Sequence, residues 1–308
     1  MKNLMLTTAL VCGAATGVSA QEITYGGLMA SYGTFSTPGA DFDASILDAE
    51  LGVAIDAFDF WVSGTQISAD VDGLAANLNA DLLTIGAGYS FGNGFRVDAS
   101  STDLSAGAIF GINIGVDEFG IAYDNGTYYG RLAYAALNQD TGGQFDGLYG
   151  LTAGYNFSDA AEISLSVHGV DGDVSGVNPI FILSGSYDAG NWDAELEALS
   201  TKISGTDLTI ATLGGSYDFT NEWSVYGAYT FADLGIDANL MRIGASYAMN
   251  DTYKLFADYT YADADGVSGN IDGFSFGVSM DFGDKPGSYE TQIDRVTNVL
   301  KTALTFDY

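Results

Sequence analysis

The chain has very little cysteine, proline or positive charge. Its 308 residues include one cysteine, three prolines and nine lysines and arginines, against 40 acidic residues. One cysteine excludes a scaffold held by disulfides and a site built from several thiolates. The formal net charge of −31 excludes nucleic acid as a partner, because phosphate binding needs clustered lysine and arginine.

After residue 20 the sequence also lacks a run of ~20 apolar residues, the length that a membrane-spanning helix needs. The segment before it is different: a lysine, an apolar stretch and small residues ending at Ala20 predict a secretory signal peptide over residues 1–20. Cys12 would leave with that segment, and the mature chain would begin at Gln21. An exported chain without a spanning helix is either a soluble β-protein or a β-barrel of the outer membrane.

What the chain has in abundance is glycine and aromatic residues, with 41 Gly, 19 Tyr and 18 Phe. Segments of 11 to 15 residues place apolar side chains at every second position and are separated by Gly, Asn and Asp, which predicts β-strands and turns. Sixteen such segments lie near residues 22–35, 45–57, 58–69, 77–91, 94–104, 113–124, 127–138, 144–157, 161–171, 177–188, 190–203, 206–219, 222–234, 238–249, 252–264 and 270–283.

Tyrosines recur just before every second turn. Tyr89, Tyr123, Tyr155, Tyr187, Tyr217 and Tyr247 are spaced by 34, 32, 32, 30 and 30 residues, one hairpin per repeat. A membrane barrel needs such an aromatic ring where its wall meets the lipid headgroups, whereas a soluble sandwich does not. The pattern predicts an all-β, transmembrane antiparallel barrel of about 16 strands over residues 21–283, with short periplasmic turns.

Residues 284–308 follow a different pattern and are expected to form a short C-terminal extension in the periplasm. Ser288 is a candidate cap for a helix that carries Ile293, Val296 and Val299 on one face. The last residues, with Leu304, Phe306 and Tyr308, also alternate like a strand. We favour a helical tail that packs against the barrel or enters its mouth.

The segment Ser275–Phe282 (SFGVSMDF) looks like the terminal-strand signal of outer-membrane barrels. With the repeated tyrosines and the acidic, glycine-rich alternation, it makes the chain resemble the sixteen-stranded general porins of Gram-negative bacteria, the alphaproteobacterial group especially. The resemblance implies passive diffusion of small hydrophilic solutes, usually through a homotrimer, with a long constricting loop after the fifth strand. The connection from Asp103 to Ile112 departs from that pattern, since it is short and nearly uncharged.

If the apolar faces meet lipid, the opposite faces line a lumen rich in carboxylates, which raises the local cation concentration and predicts cation preference. The basic side chains either oppose these acids across the channel or pair with neighbouring acids in the wall. The predicted pore-lining residues are Asp48, Glu50, Arg96, Asp98, Glu118, Arg131, His168, Glu195, Glu197, Arg242, Lys254 and Asp258.

Two further patterns have alternative interpretations. His168, the only histidine, is predicted beside Ser164 and Ser166, but strand-spaced serines are typical of a polar lumen and no nucleophile-elbow motif is present, so we expect no enzyme.

Aspartate pairs in the connections either bind calcium or keep the rim solvated, and no connection has the spacing of a dedicated calcium loop. We expect no cofactor. These pairs are Asp41 with Asp43, Asp70 with Asp72, Asp171 with Asp173, and Asp263 with Asp265.

Three hypotheses remain open at this point. The leading one is an outer-membrane diffusion channel in contact with lipid, small solutes and ions. The second is a structural or adhesive barrel occluded by its own side chains or by the tail. The third is a soluble secreted β-protein.

Overall fold

The structure is a computed structural model, and it describes residues 22–72, 78–106, 112–139, 146–158, 160–172, 177–266, 269–283 and 290–304. The predicted signal peptide lies outside the described residues. Within them, no helix is long and apolar enough to cross a membrane.

Sixteen antiparallel strands form one closed sheet in which each strand pairs with its neighbours in sequence and β1 pairs with β16. This confirms the predicted fold class. The strands are β1 (Glu22–Thr37), β2 (Ala40–Ile55), β3 (Phe58–Val71), β4 (Leu78–Ser90), β5 (Phe95–Ala106), β6 (Ile112–Asp124), β7 (Tyr128–Gln139), β8 (Gly147–Ser158), β9 (Ala161–Asp171), β10 (Ile180–Asp188), β11 (Trp192–Ile203), β12 (Thr206–Asp218), β13 (Trp223–Asp233), β14 (Asp237–Ala248), β15 (Tyr253–Ala264) and β16 (Ile271–Phe282).

Side chains alternate between the two faces of the wall, as the two-residue period requires. On β13, Trp223, Val225 and Tyr229 are exposed outside, whereas Tyr226 and Thr230 are buried on the inner face, the side that points into the barrel. Large apolar side chains are exposed on the outside around the ring, although the outer face of β4 and β6 also carries acidic side chains. In a closed sheet the strands' backbone groups pair with their neighbours, so the barrel has no free edge.

The predicted tyrosine ring lies at one end of the barrel, which we call the aromatic end. There four of the six tyrosines pair with aromatic side chains on the adjacent strand at ring-centroid distances of 4.6 to 4.9 Å. Such edge and tilted contacts stabilise the ends of hairpins. The pairs are Phe58 with Tyr89, Phe95 with Tyr123, Trp192 with Tyr217, and Trp223 with Tyr247.

Inward-pointing aromatic rings lie flat over glycines of the neighbouring strand. The Trp61 ring covers Gly86, the Tyr129 ring covers Gly154, and a β-carbon at either glycine would clash with the ring. Several glycines of the alternating segments are therefore explained by close packing inside the barrel rather than by turns.

The prediction was wrong at the first hairpin. Residues 36–44 were expected to form a connection, because Pro38, Gly39 and two aspartates follow one another there. Instead β1 continues to Thr37, β2 begins at Ala40, and a tight turn at Gly39 with a φ of 135° joins them. Asp41 and Asp43 are exposed on the outer face near this rim, so polar residues lengthen the strands instead of ending them.

One helix, α1 (Gln292–Leu304), follows the barrel. Its cap is Thr291, whose hydroxyl accepts from the Asp294 backbone N–H at 3.0 Å, while the Asp294 carboxylate accepts from the Thr291 N–H at 3.0 Å. This reciprocal capping box fixes the start of the helix. The predicted cap, Ser288, lies outside the described residues and was the wrong choice.

Candidate functional site

All twelve predicted pore-lining residues lie on the inner face of the wall, as the strand register requires. Their neighbours on that face differ from one side of the barrel to the other. We therefore describe the interior as three parts: a chain of ion pairs on β3 to β7, the helix α1, and an apolar region on β14 to β16 and β1 to β3.

The ion pairs on β3 to β7 form a continuous chain of alternating charge. Arg96 contacts Asp59 and places Nη1 3.3 Å from Oδ2 of Asp98. Arg131 then bridges Asp98 and Glu118, with nitrogen-to-oxygen distances of 2.5 Å to each. Arg96 and Arg131 are each 3% exposed. Both arginines therefore pair with acids of their own wall.

A second polar group surrounds Asp258 on β15. Its carboxylate accepts hydrogen bonds from the hydroxyls of Ser275 at 2.7 Å and Tyr226 at 3.2 Å, and Nε of Arg242 lies 3.3 Å from Oδ1. Four strands, β13 to β16, contribute to this group. Charge-assisted hydrogen bonds of this kind fix the inward side chains in one arrangement.

Helix α1 lies inside the barrel. At its start, the backbone N–H of Gln292 donates to the Glu118 carboxylate at 2.9 Å, and the Gln292 side-chain oxygen lies 3.0 Å from Nδ1 of His168. The His168 ring N–H donates to that amide oxygen in this arrangement. An acidic side chain at a helix N-terminus is favoured by the helix dipole. Glu118 and His168 thus hold the start of α1 on β6 and β9.

The first turn of the helix is also held by Arg295, which is 3% exposed. Its Nη2 lies 3.1 Å from the Glu290 carboxylate, its Nη1 donates to the Ser164 hydroxyl at 3.3 Å, and its guanidinium lies 6.0 Å from the centre of the Tyr129 ring. Burial alone would lower the pKa of Arg295, but Glu290 and Tyr129 outweigh it and raise that pKa. The guanidinium remains charged.

The end of the helix reaches a different part of the wall. Nζ of Lys301 lies 2.6 Å from Oδ2 of Asp48 on β2, and Val299 is fully buried. Strands β9 and β2 are seven places apart in a ring of sixteen, so the two ends of α1 contact nearly opposite sides. Its 13 residues span ~20 Å at ~1.5 Å per residue. The helix therefore crosses the interior.

The third part is an apolar region that the sequence analysis missed. The inner face of β14 to β16 and β1 to β3 lines a cavity of about 270 Å³. We call this part of the inner face, whose side chains are mostly apolar, the apolar sector. The lumen was predicted to be rich in carboxylates, and that prediction was wrong here, since most of the side chains that line this cavity are apolar. A signal was present in the sequence, since Ile46 and Leu47 are adjacent and therefore lie on opposite faces. The sector includes Phe35, Phe42, Ile46, Ile67, Leu240 and Phe256.

The remaining predicted residues have local roles. Ser184 donates to Glu197 at 2.9 Å, and the Ser166 hydroxyl lies 2.8 Å from that of Thr152. Glu50, Glu195 and Lys254 lie on the inner face toward the aromatic end. Within the described part of the chain, no three histidine, cysteine, aspartate or glutamate side chains are placed to hold a metal ion. Asp173, which belongs to one of the aspartate pairs that could either bind calcium or keep the rim solvated, lies outside that part.

A closed barrel with apolar side chains outside and paired charges inside has the architecture of the porins. The chain is similar in structure to OpdQ of Pseudomonas aeruginosa, with a TM-score of 0.53 and 10% sequence identity over 86% of this chain and 99% of that one. A triple mutant of the Rhodopseudomonas blastica porin matches with a TM-score of 0.50 and 15% sequence identity over 85% of this chain and 100% of that one. The anion-selective porin of Comamonas acidovorans matches with a TM-score of 0.50 and 13% sequence identity, again over 85% of this chain and 100% of that one.

No protein-family model and no curated protein sequence matches the chain. At identities of 10% to 15% the structural likeness establishes the fold, which is a sixteen-stranded barrel of the porin type. The function must therefore be argued from the interior of this barrel.

Proposed function

We propose that the protein is a porin of the Gram-negative outer membrane, through which small hydrophilic solutes diffuse passively. The observation that carries this proposal is that many large apolar side chains are exposed on the outer face of the closed wall, whereas networks of paired charges lie on its inner face. A soluble barrel would bury its apolar face inside, whereas here the large apolar side chains are exposed outside.

The dimensions of the wall support a membrane position. Strands of about 12 residues, rising ~3.3 Å per residue and tilted by ~45°, cover ~28 Å along the membrane normal. The aromatic end carries the rings that suit the headgroup region. With an even number of strands, both ends of the barrel chain lie at that end, which we assign to the periplasm. Export through a cleaved signal peptide over residues 1–20 is part of the same proposal.

The passage is narrowed by α1. The porin resemblance implies a long loop after the fifth strand, but β5 ends at Ala106 and β6 begins at Ile112, which leaves too few residues for such a loop. Helix α1 crosses the interior at the depth of Glu118 and Asp48 and takes the position of the constriction. The C-terminal tail thus acts through α1, which enters from the periplasmic side and lies inside the barrel.

Ion preference follows from the sign of the charges. The chain carries 40 acidic and nine basic residues, and the arginines of the inner wall are neutralised by adjacent carboxylates. The excess of carboxylates attracts cations and repels anions in a narrow, water-filled passage. We therefore propose a cation-preferring channel, with membrane lipid outside the barrel and a homotrimer as the assembly. The proposal includes no enzymatic step and no cofactor.

A second function is favoured by the same helix. A helix anchored on nearly opposite sides of the wall would also suit a barrel that is closed to solutes and serves a structural or adhesive role. The difference between the two functions is whether a continuous aqueous path passes beside α1.

Deleting residues 284–308 separates the two functions. Full-length and shortened protein are reconstituted in planar bilayers, and heat-modifiable migration on a gel verifies that both barrels are folded. The channel proposal predicts stepwise ohmic conductance from the full-length protein and a larger conductance from the shortened one. Conductance that appears only after the deletion would establish the occluded barrel instead.

A further inference from the structure

The apolar sector reverses the polarity of the wall near one rim. On β2, Phe42 and Ile46 line the cavity on the inner face, whereas Asp41, Asp43 and Ser45 lie on the outer face. The inner face does not need apolar side chains, since the closed sheet already satisfies the hydrogen bonds of the strands and water fills the lumen in the proposed orientation. Exposing apolar surface to that water raises the free energy of the protein. The sector therefore needs a reason other than the barrel itself.

The shape of the sector is that of a binding site rather than a flat patch. Phe35 and Phe42 stack with ring centroids 5.0 Å apart and nearly parallel planes, and Met29 packs against the cluster that contains Phe256. The volume of about 270 Å³ lies near the lower end of the ~300–1,000 Å³ range of small-molecule pockets. Such a cavity accepts a small solute.

One end of the cavity is polar. Thr260, Ser275, Arg242 and Asp258 line it together, and the carboxylate of Asp258 accepts from Ser275 at 2.7 Å. Arg242 and Asp258 carry opposite charges and form an ion pair, with Nε of Arg242 3.3 Å from Oδ1 of Asp258. This end thus offers donors and acceptors of both signs. A mostly apolar cavity with a few convergent polar groups is the usual construction of a small-molecule site.

We propose that the apolar sector is a subsite on the solute path that binds small amphiphilic solutes, with their apolar body against Phe42, Ile46 and Leu240. Their polar group lies toward Thr260, Ser275 and the pair of Arg242 with Asp258. The inference rests on the proposed diffusion function, which supplies the path. It adds a class of solute that a lumen of carboxylates alone would not favour.

Leucine and asparagine are suitable probes, because they share the same charged backbone groups and have side chains of similar size but opposite polarity. Each is added in increasing concentration to the full-length protein in planar bilayers, and the reduction of the potassium chloride current is recorded. Burial of the leucine side chain predicts half-maximal reduction at a concentration ~10-fold lower than for asparagine.

Variants on two parts of the wall test the location. Ile46→Thr combined with Ile67→Thr replaces apolar side chains of the sector by β-branched polar ones that suit a strand, and Leu240→Asn does so independently from β14. Both variants are expected to make the concentrations of leucine and asparagine that give half-maximal reduction of the current similar. Ile210→Thr is the matched control: it lies on the inner face of β12 but outside the cavity, and it should preserve the difference.

The outcomes are distinct. If the channel is open but leucine and asparagine reduce the current equally, the inference is overturned and the diffusion function stands. The same holds if Ile210→Thr abolishes the difference between the two probes as strongly as the sector variants do. Absence of any current overturns the diffusion function together with the inference. A leucine preference that appears only when residues 305–308 are removed would mean that the chain's own C-terminus fills the cavity, which also overturns the proposal.

Discussion

At the residue scale, the interior is stabilised by charges that satisfy one another within the wall. Asp98 accepts from both Arg96 and Arg131, and Glu118 accepts from Arg131 and from the first N–H of α1. Removing one member of such a group leaves its partners buried without compensation, which is more unfavourable than the absence of the whole group. These side chains hold the wall and the helix in place together.

Arg131→Met is therefore expected to lower the free energy of unfolding by ~3 kcal/mol, the lower end of the range for breaking a buried pair. Urea titration of the folded protein in detergent measures it. Lys202→Met is the control, since its pair with Asp207 at 3.0 Å is largely exposed and is worth ~0–1 kcal/mol. Equal effects of the two variants would contradict the structural role assigned to Arg131.

A glycine under an aromatic ring gives a second prediction at this scale. In Gly86→Ala the new β-carbon would meet the Trp61 ring, which in turn lies under the Arg96 guanidinium at 5.1 Å from the ring centre. We expect a loss of ~1–3 kcal/mol, typical of overpacking. Gly130→Ala is the control, because its β-carbon would meet only the Thr152 carbonyl oxygen at 3.6 Å. Thermal unfolding followed by gel migration compares them, and a Gly86→Ala protein as stable as Gly130→Ala would show that the ring moves freely.

The face of the wall on which a residue lies was predictable from the sequence wherever one side of the strand is polar. Asp98, Glu118, Arg131 and Asp258 alternate with outward apolar residues, and a period of two fixes their side of the wall. Their partners were not predictable in this way, since register between strands decides which acid meets which arginine. Arg131 meets Asp98, 33 residues earlier in the sequence, through β6, which lies between their strands.

At the element scale, α1 is the feature that distinguishes this barrel. Its apolar residues alone predicted a helix, but its position depends on contacts made far along the chain, such as Gln292 with His168, 124 residues away. No local pattern encodes such a contact, so the sequence left open whether the tail lies outside the barrel or in it. The cap was also ambiguous locally, because Ser288 and Thr291 both precede the helical segment by a suitable distance.

The capping box gives a prediction for the helix as a unit. The predicted mature chain has no cysteine, so Val299→Cys introduces a single thiol at a fully buried position of α1. Removing the cap with Thr291→Ala weakens the helix by ~0.5–2 kcal/mol, which should increase the rate of thiol labelling by ~2- to 30-fold if labelling requires the helix to leave its site.

The control for this prediction is Ser204→Cys, in the exposed turn between β11 and β12, which should be labelled rapidly with or without Thr291→Ala. If Val299→Cys is labelled as rapidly as Ser204→Cys in the otherwise unchanged protein, α1 is not seated inside the barrel. If Thr291→Ala leaves the protected rate unchanged, the cap does not contribute to seating.

At the scale of the whole molecule, the number of strands, their antiparallel order and the aromatic end were all predictable, because each hairpin repeats the same signals. The apolar sector was not predicted, since a segment apolar on both faces, as around Ile46 and Leu47 or Leu82 and Leu83, has no clear period. The first hairpin was missed for the opposite reason: its polar residues near the rim resemble a connection. The repeated hairpin signals therefore predict the architecture of the barrel, whereas segments that break the two-residue alternation mark the places where its wall differs from that pattern.

The central claim is that an aqueous, carboxylate-rich path passes beside α1 through the closed barrel. A single-channel recording of the full-length protein in a tenfold gradient of potassium chloride tests it most directly. The account predicts stepwise conductance with a reversal potential displaced toward the equilibrium potential of potassium. A folded, inserted barrel that carries no current, or one whose reversal potential is displaced toward that of chloride, would contradict it.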